Sequence, residues 1–202
     1  MITNQVLNHL RRDPVLAPLL DRISLPNYER DTDIYARLIR AIVFQQLSGK
    51  AASTIHGRFL GLFPDGYPHP EALLALDLPA LRSVGLSQQK STYIQNIARY
   101  FLEHGLFDRN WDDLSDQEVL DLLTPIKGVG YWTVEMLLMF TLDRPDVLPL
   151  DDLGIQQAMQ GLYNLDGKGK VLQRQMTETA EPWRPYRTYA CYYLWRWKDG
   201  EY

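Results

Sequence analysis

Two adjacent carboxylates, Asp151 and Asp152, follow Pro149-Leu150 and stand just before a helical run that opens at Leu153. Acidic residues at a helix start ordinarily cap its free amides or oppose its dipole. One of the two, by preference Asp151, is read as that cap. The pair also offers a fixed carboxylate, a group that stabilises developing positive charge and orients or deprotonates water. Neighbours in sequence do not straddle a bond, so the two do not read as a paired acid and base.

A second feature lies 22 positions before Asp152, in the stretch TPIKGVGYWT, residues 124–133. Gly128 and Gly130 flank Val129, between one apolar run (Val119, Leu120, Leu122, Leu123) and another (Val134, Leu137, Leu138). Glycine lets a ligand approach the backbone closely. The amides that open the second run suit an anion such as phosphate. A bare Gly-x-Gly is a tight helix–helix turn with a glycine C-cap; the flanking runs are what distinguish this one.

Upstream, Gln45 and Gln46 interrupt the apolar stretch AIVFQQLSGKAA, residues 41–52. Buried glutamines without partners are unfavourable, so the pair is expected to end a helix at the surface. The chain also carries five Trp and twelve Tyr, concentrated in the last stretch, EPWRPYRTYACYYLWRWKDGEY. Most of these must pack in the core or lie along the surface.

The elements that position these residues are helical almost throughout. Ile34, Leu38, Ile42 and Leu47 recur at helical spacing, as do Ile94, Ile97, Ala98 and Phe101, and later Leu137, Leu138 and Phe140. No sustained alternation of apolar and polar residues predicts a strand. Ser87 reads as an N-cap, and Ser115 with Glu118 as a capping box. Loops fall at Pro64-Asp65-Gly66, Pro68-His69-Pro70 and Asp166-Gly167-Lys168-Gly169, and Pro182 and Pro185 precede the last helix. The fold class is all-α, with about ten short helices by typical helix and loop lengths.

The 202 residues suffice for one compact domain or two small lobes, and 46% apolar with 23% charged content is ordinary for a globular chain. The single cysteine, Cys191, excludes an internal disulfide, a Cys-based zinc site and a four-Cys iron–sulfur cluster, and is expected to be buried and apolar in role. No stretch predicts a signal peptide or a membrane span, and a cytoplasmic location is expected. The net charge of −4 argues mildly against a nucleic-acid partner. Its distribution matters more. Acids gather between Glu103 and Asp121, while Lys168, Lys170, Arg174, Arg184, Arg187, Arg196 and Lys198 make the C-terminal part basic.

These motifs, in this order, resemble the helix-hairpin-helix DNA glycosylase superfamily, in its alkylpurine branch of the 3-methyladenine DNA glycosylase II type. GLSQQKSTYIQNIA, residues 85–98, is a further match, and the resemblance spans roughly residues 30–198. In GLSQQKSTYIQNIA the role looks structural, with Lys90 expected to be solvated more readily than to reach a phosphate. The resemblance implies two helical lobes with a DNA cleft between them, lobe one being residues 1–32 plus 146–202 and lobe two residues 33–145, with the hairpin at 119–142. Residues 1–202 would form one glycosylase domain, the minimal form without the N-terminal β domain of larger relatives, and Asp152 would lie at the junction of the lobes.

The resemblance further implies the chemistry. The stretch DVLPLDDLGI matches the family's catalytic segment and puts the catalytic carboxylate on Asp152. Breaking an N-glycosidic bond builds oxocarbenium character on the sugar, which a carboxylate stabilises. Trp132, Met136 and Trp195 fall at positions facing the extruded base, where electron-rich rings favour a cationic base; the family often has Tyr where this chain has Met136. Gln46, with Gln45 beside it, falls where the family plugs the gap left by the flipped nucleotide. Lys127, Gly128, Val129, Gly130 and Tyr131 form the phosphate-binding hairpin, which in the family often holds a monovalent cation on backbone carbonyls. No side-chain metal site and no cofactor are implied. Bifunctional members carry a Lys where this chain has Trp132, so strand cleavage through a Schiff base is not expected. The expected activity is monofunctional excision of alkylated purines from duplex DNA, by a monomer. Two alternatives stay open: a catalytically silent lesion binder on the same fold, and a glycosylase for another damaged base.

Overall fold

Apolar residues recur every three or four positions along most of the chain, and each such run is a helix. A computed structural model describes residues 2–26 and 32–200, and these contain no strand. In chain order the helices are α1 (Asn4–Leu10), α2 (Ala17–Arg22), α3 (Ile34–Phe44), α4 (Gly49–Leu60), α5 (Pro70–Ala75), α6 (Leu78–Ser83), α7 (Gln88–Glu103), α8 (Asp116–Leu123), α9 (Tyr131–Phe140), α10 (Leu153–Tyr163), α11 (Lys170–Ala180) and α12 (Arg187–Lys198). No helix among the described residues is long and apolar enough to cross a membrane.

The chain divides into two compact units: Asp31–Leu137, and Met1–Arg30 with Leu138–Tyr202. The second break falls inside α9 rather than at 145/146. The reason is that the end of α9 packs on α12: Tyr192 Oη donates to Met139 O at 2.9 Å, and the Phe140 and Tyr192 rings stack at 5.3 Å. The break expected at 32/33 adjoins residues 27–31, which lie outside the described residues.

In the unit Asp31–Leu137, α3 buries Ile34, Leu38, Ile39 and Ile42, and α7 buries Ile94, Ile97, Ala98 and Phe101. The two helices pack together, and α5 packs on α7. Each large apolar side chain withdrawn from water contributes about 1.5–3 kcal/mol. Ser87 caps α7, accepting from Lys90 N at 3.2 Å. Ser115 and Glu118 close a reciprocal box at the start of α8, with Ser115 N donating to Glu118 Oε2 at 2.7 Å and Glu118 N to Ser115 Oγ at 3.3 Å. Leu47 departs from the expected core position: α3 ends at Phe44, the chain turns through a left-handed Gln46 (φ 57°), and Leu47 is 39% exposed.

In the other unit, α10 packs against α12, burying Ile155, Ala158 and Met159 with Ala190, Cys191 and Leu194. A Cβ on Gly161 would stand 2.9 Å from Trp197 Cη2, so glycine is what lets that ring reach α10. Asp13 ties the N-terminal segment to this core. Its carboxylate accepts from Val15 N (2.8 Å), Leu16 N (3.1 Å), Tyr163 Oη (2.9 Å) and Trp183 Nε1 (2.7 Å). Burial and then the Asp13 charge push the Tyr163 phenol above its ordinary range, which keeps it a neutral donor.

Candidate functional site

The carboxylate that caps α10 is Asp152, not Asp151. Asp152 N donates to Pro149 O at 3.1 Å, and this turn leaves Asp152 extended (φ −73°, ψ 118°), the conformation of a capping residue. Its Oδ1 accepts from Ile155 N at 2.8 Å. Asp151 comes one residue too early to reach that amide. It is exposed and accepts from Gln173 Nε2 of α11 at 2.7 Å.

Oδ1 of Asp152 also accepts from Trp195 Nε1, at 2.8 Å. The Trp195 ring lies nearly parallel to Phe140 (5.8 Å, 27°) and Tyr192 (6.2 Å, 25°), which fixes the indole from the side. Gly154 makes the contact feasible: a Cβ there would stand 2.9 Å from Trp195 Cδ1 and 3.1 Å from Asp152 Oδ1. A backbone amide and an indole N–H thus both hold Oδ1 of the carboxylate.

The strand of chain leading to Asp152 is held by the first turn of α12. Thr188 Oγ1 accepts from Val147 N at 2.9 Å and donates to Arg144 O at 2.7 Å. Arg187 donates from Nε to Asp146 Oδ1 and from Nη2 to Asp146 O, each at 2.7 Å, and Arg184 Nη1 pairs with Asp146 Oδ2 at 2.5 Å. Sequence reasoning missed Asp146, Arg187 and Thr188. The signals were Asp146, six positions before Asp152, and Arg184 and Arg187, one just ahead of the last helix and one at its start.

The hairpin occupies the stretch between α8 and α9, in the unit Asp31–Leu137. The helix α8 closes at Thr124, so neither glycine is its C-cap. Ile126 and Val129 are buried, while Lys127, Gly130 and Tyr131 are exposed. The two glycines serve different ends. Gly128 has φ 108°, and a Cβ there would meet Tyr93 Cγ at 2.3 Å, so its absence lets the ring press on the turn. Gly130 faces open space, with no heavy atom within 4 Å of a Cβ. It stands at the mouth of α9, its carbonyl accepting from Val134 N at 3.2 Å. The first amides of any helix lack partners within it, so here they open beside a position with no side chain. Trp132 is 42% exposed, and Met136, one turn on and half-buried, shares its face of α9.

The glutamine pair ends α3 as expected. Gln45 is half-buried and caps the helix; Gln46 is exposed and holds the left-handed conformation noted above. Lys90 is half-buried and turns inward. Its Nζ donates to Val43 O at 2.8 Å and to Gln45 O at 2.7 Å, and burial pulls its pKa below the ordinary lysine range. Among the described residues, no three His, Cys, Asp or Glu gather as a metal site.

Comparison with known proteins places these motifs in one lineage. Residues 39–185 match the family described as HhH-GPD superfamily base excision DNA repair protein; Trp195 lies beyond the matched span. The chain is 39% identical to DNA-3-methyladenine glycosylase 1 of Schizosaccharomyces pombe over 80% of this chain and 71% of the relative. It is 33% identical to a putative DNA-3-methyladenine glycosylase of Bacillus subtilis, over 95% of this chain and 68% of that one. Among solved structures, it resembles the 3-methyladenine DNA glycosylase Mag1 of S. pombe in complex with abasic DNA (TM-score 0.79, 32% identity, 98% of this chain and 99% of that chain). It also resembles the DNA-3-methyladenine glycosidase of Bacillus halodurans (TM-score 0.81, 33% identity, 97% and 89% covered). The chain belongs to the HhH-GPD superfamily of base excision DNA repair proteins.

Proposed function

We propose that this protein is a DNA glycosylase that hydrolyses the N-glycosidic bond of alkylated purines, of the 3-methyladenine and 7-methylguanine kind, in base excision repair. The observation that carries the reading is Asp152 itself. It is a carboxylate held at a helix mouth by Ile155 N and Trp195 Nε1, each at 2.8 Å, within the span that matches the family.

The mechanism follows from the residues. As the bond to the base lengthens, positive charge grows on the sugar, and the Asp152 carboxylate stabilises it and orients the attacking water. A purine carrying an alkyl group and a positive charge leaves readily, so no general acid is needed. With Trp132 in place of a lysine, no amine is set to attack the sugar, and the strand stays intact. Trp132 and Met136 offer an apolar, electron-rich face to the extruded base, a stacking contact worth about 1–3 kcal/mol. Trp195 keeps the base-facing role that the resemblance implies, beside its hold on Asp152.

DNA is gripped through backbone amides opening at Gly130, with Lys127 beside them, which reconciles phosphate binding with a net charge of −4. Ile126 O and Lys127 O each accept one bond, from Val129 N and Asn96 Nδ2, and each keeps a second lone pair. Carbonyls of this turn would hold the monovalent cation that the resemblance implies, which would add positive charge beside the phosphate. Gln46, flanked by Gln45, fills the gap left by the extruded nucleotide. The protein works as a monomer on duplex DNA, in the cytoplasm, and at the nucleoid if the cell is prokaryotic.

The test is base release from methylated duplex DNA by the wild type, Asp152→Asn and Asp151→Asn. Asparagine caps a helix as well as aspartate does, so Asp152→Asn is expected to fold and bind while losing release by at least about 10²–10³-fold. Asp151→Asn is expected to retain it. Loss with Asp151→Asn alone would move the carboxylate by one residue. No release by the wild type from any alkylated base would sink the reading and favour a lesion binder or another damaged base.

A further inference from the structure

One face of α7 touches both loops that the proposed function assigns to DNA. Lys90, Tyr93 and Asn96 follow at intervals of three residues. Lys90 Nζ reaches the end of α3, the Tyr93 ring presses on Gly128, and Asn96 Nδ2 donates to Lys127 O at 3.3 Å. The Lys90 contact is the most telling. The last carbonyls of a helix lack intrahelical partners and carry partial negative charge. A lysine ammonium, three donors on a flexible stem, satisfies two of them at once. It holds Val43 O at 2.8 Å and Gln45 O at 2.7 Å from positions 47 and 45 residues away.

The Gln45 carbonyl shares a rigid peptide plane with the Gln46 amide. Gripping that oxygen therefore fixes the plane from which Gln46 departs, and Gln46 departs into the left-handed region at φ 57°. Non-glycine residues rarely adopt that conformation unless their surroundings impose it. The half-buried Lys90 ammonium directs two of its donors to these carbonyls, and partial burial lowers its pKa.

We infer that Lys90 is a positioning residue that holds the Gln45–Gln46 turn in its strained form before DNA arrives, so that Gln46 enters the gap of an extruded nucleotide without rearrangement. This rests on the wedge role of Gln46 given above. It is separable from the glycosylase activity, because it is read by binding and not by base release.

The experiment compares affinity for an intact duplex and for the same duplex carrying a tetrahydrofuran abasic analogue, which presents the gap ready-made. The wild type is expected to prefer the analogue, and Gln46→Ala to lose most of that preference. Lys90→Met keeps the stem and removes the donors. It is expected to lower the preference by roughly tenfold, the scale of losing hydrogen bonds to a charged donor, while leaving affinity for intact duplex unchanged. Gln46→Ala with Lys90→Met is expected to be no worse than Gln46→Ala alone, and Lys90→Arg to restore the preference. Should Lys90→Met fail to fold, Lys90→Gln, too short to span both carbonyls, carries the same expectation. An equal loss on both duplexes would make Lys90 a phosphate contact. An unchanged preference in Lys90→Met, or a wild type with none, would overturn the inference. Base release by the wild type in those cases would leave the proposed activity standing.

Discussion

The indole of Trp195 donates to Oδ1 of Asp152 at 2.8 Å, the same oxygen that accepts from Ile155 N. A residue placed by resemblance against the base therefore also aims the carboxylate, and the two roles separate by substitution. Trp195→Phe keeps a ring against Phe140 and Tyr192 but removes the N–H. A hydrogen bond to a charged group contributes about 1.5–3 kcal/mol, so single-turnover excision is expected to fall about tenfold, equally for a cationic base such as 7-methylguanine and a neutral one such as hypoxanthine. Trp195→Ala is expected to remove a further increment confined to the cationic base. A uniform loss in both variants would leave only the positioning role; a normal rate in Trp195→Phe would remove it.

Gly154 supplies a test of the same contact from the opposite side. An added Cβ would stand 2.9 Å from Trp195 Cδ1 and 3.1 Å from both Trp195 Nε1 and Asp152 Oδ1. The indole is wedged against two parallel rings, so it must shift, and the bond to Asp152 lengthens with it. Alanine favours a helix over glycine by up to about 1 kcal/mol, which offsets part of the crowding. Gly154→Ala is expected to lower excision by about an order of magnitude, comparable to losing the bond, with thermal stability near that of the wild type. Wild-type excision would show that the carboxylate tolerates a displaced tryptophan.

What could be read in the sequence, and what could not, divides by sequence separation. Ile94, Ile97, Ala98 and Phe101 were legible as the buried face of α7 because a helix face is a local pattern; so was the box of Ser115 and Glu118. The cap at α10 falls one residue after the aspartate that the sequence favours. Two adjacent aspartates both suit the position, and only the turn from Asp152 N to Pro149 O decides between them. The inward turn of Lys90 was illegible, since its partners lie 47 and 45 residues away and a lysine in GLSQQK looks like any solvated charge. The clamp of Arg187 and Thr188 on residues 144–147 depends on separations of 41 to 44 residues and leaves no periodic trace.

The clamp predicts a loss of geometry with modest loss of fold. Arg187 is the more buried of the two arginines on Asp146, with its side chain 13% exposed against 46% for Arg184. Arg187→Met removes the bonds to both the carboxylate and the carbonyl of Asp146, freeing the chain six residues before Asp152. Destabilisation of about 1–3 kcal/mol is expected from the charge-assisted bonds lost, together with a fall in kcat greater than any rise in KM. Arg184→Met is expected to change stability by no more than about 1 kcal/mol, as for an exposed pair, and to leave kcat unchanged. Equal effects of the two would mean that the cluster only holds the fold.

The two hairpin glycines are expected to fail in different ways, because one is required by the turn and the other is not. Gly128→Ala places a Cβ 2.3 Å from Tyr93 Cγ at φ 108°, so the ring or the turn must move. Strain of about 1–3 kcal/mol from the backbone alone, with the clash added, should appear as a lowered melting temperature. Gly130 has neither constraint: its Cβ would meet nothing within 4 Å. Gly130→Ala and Gly130→Val are expected to fold, the loss of a favourable cap costing about 1 kcal/mol or less. Their added bulk stands where the backbone of α9 would meet a phosphate, so affinity should fall with side-chain size, on damaged and undamaged duplex alike. Base discrimination should persist, because phosphates carry no information about the lesion. Unchanged affinity in Gly130→Val would reduce the hairpin to a turn, and a loss confined to damaged DNA would move its role from the phosphate to the base.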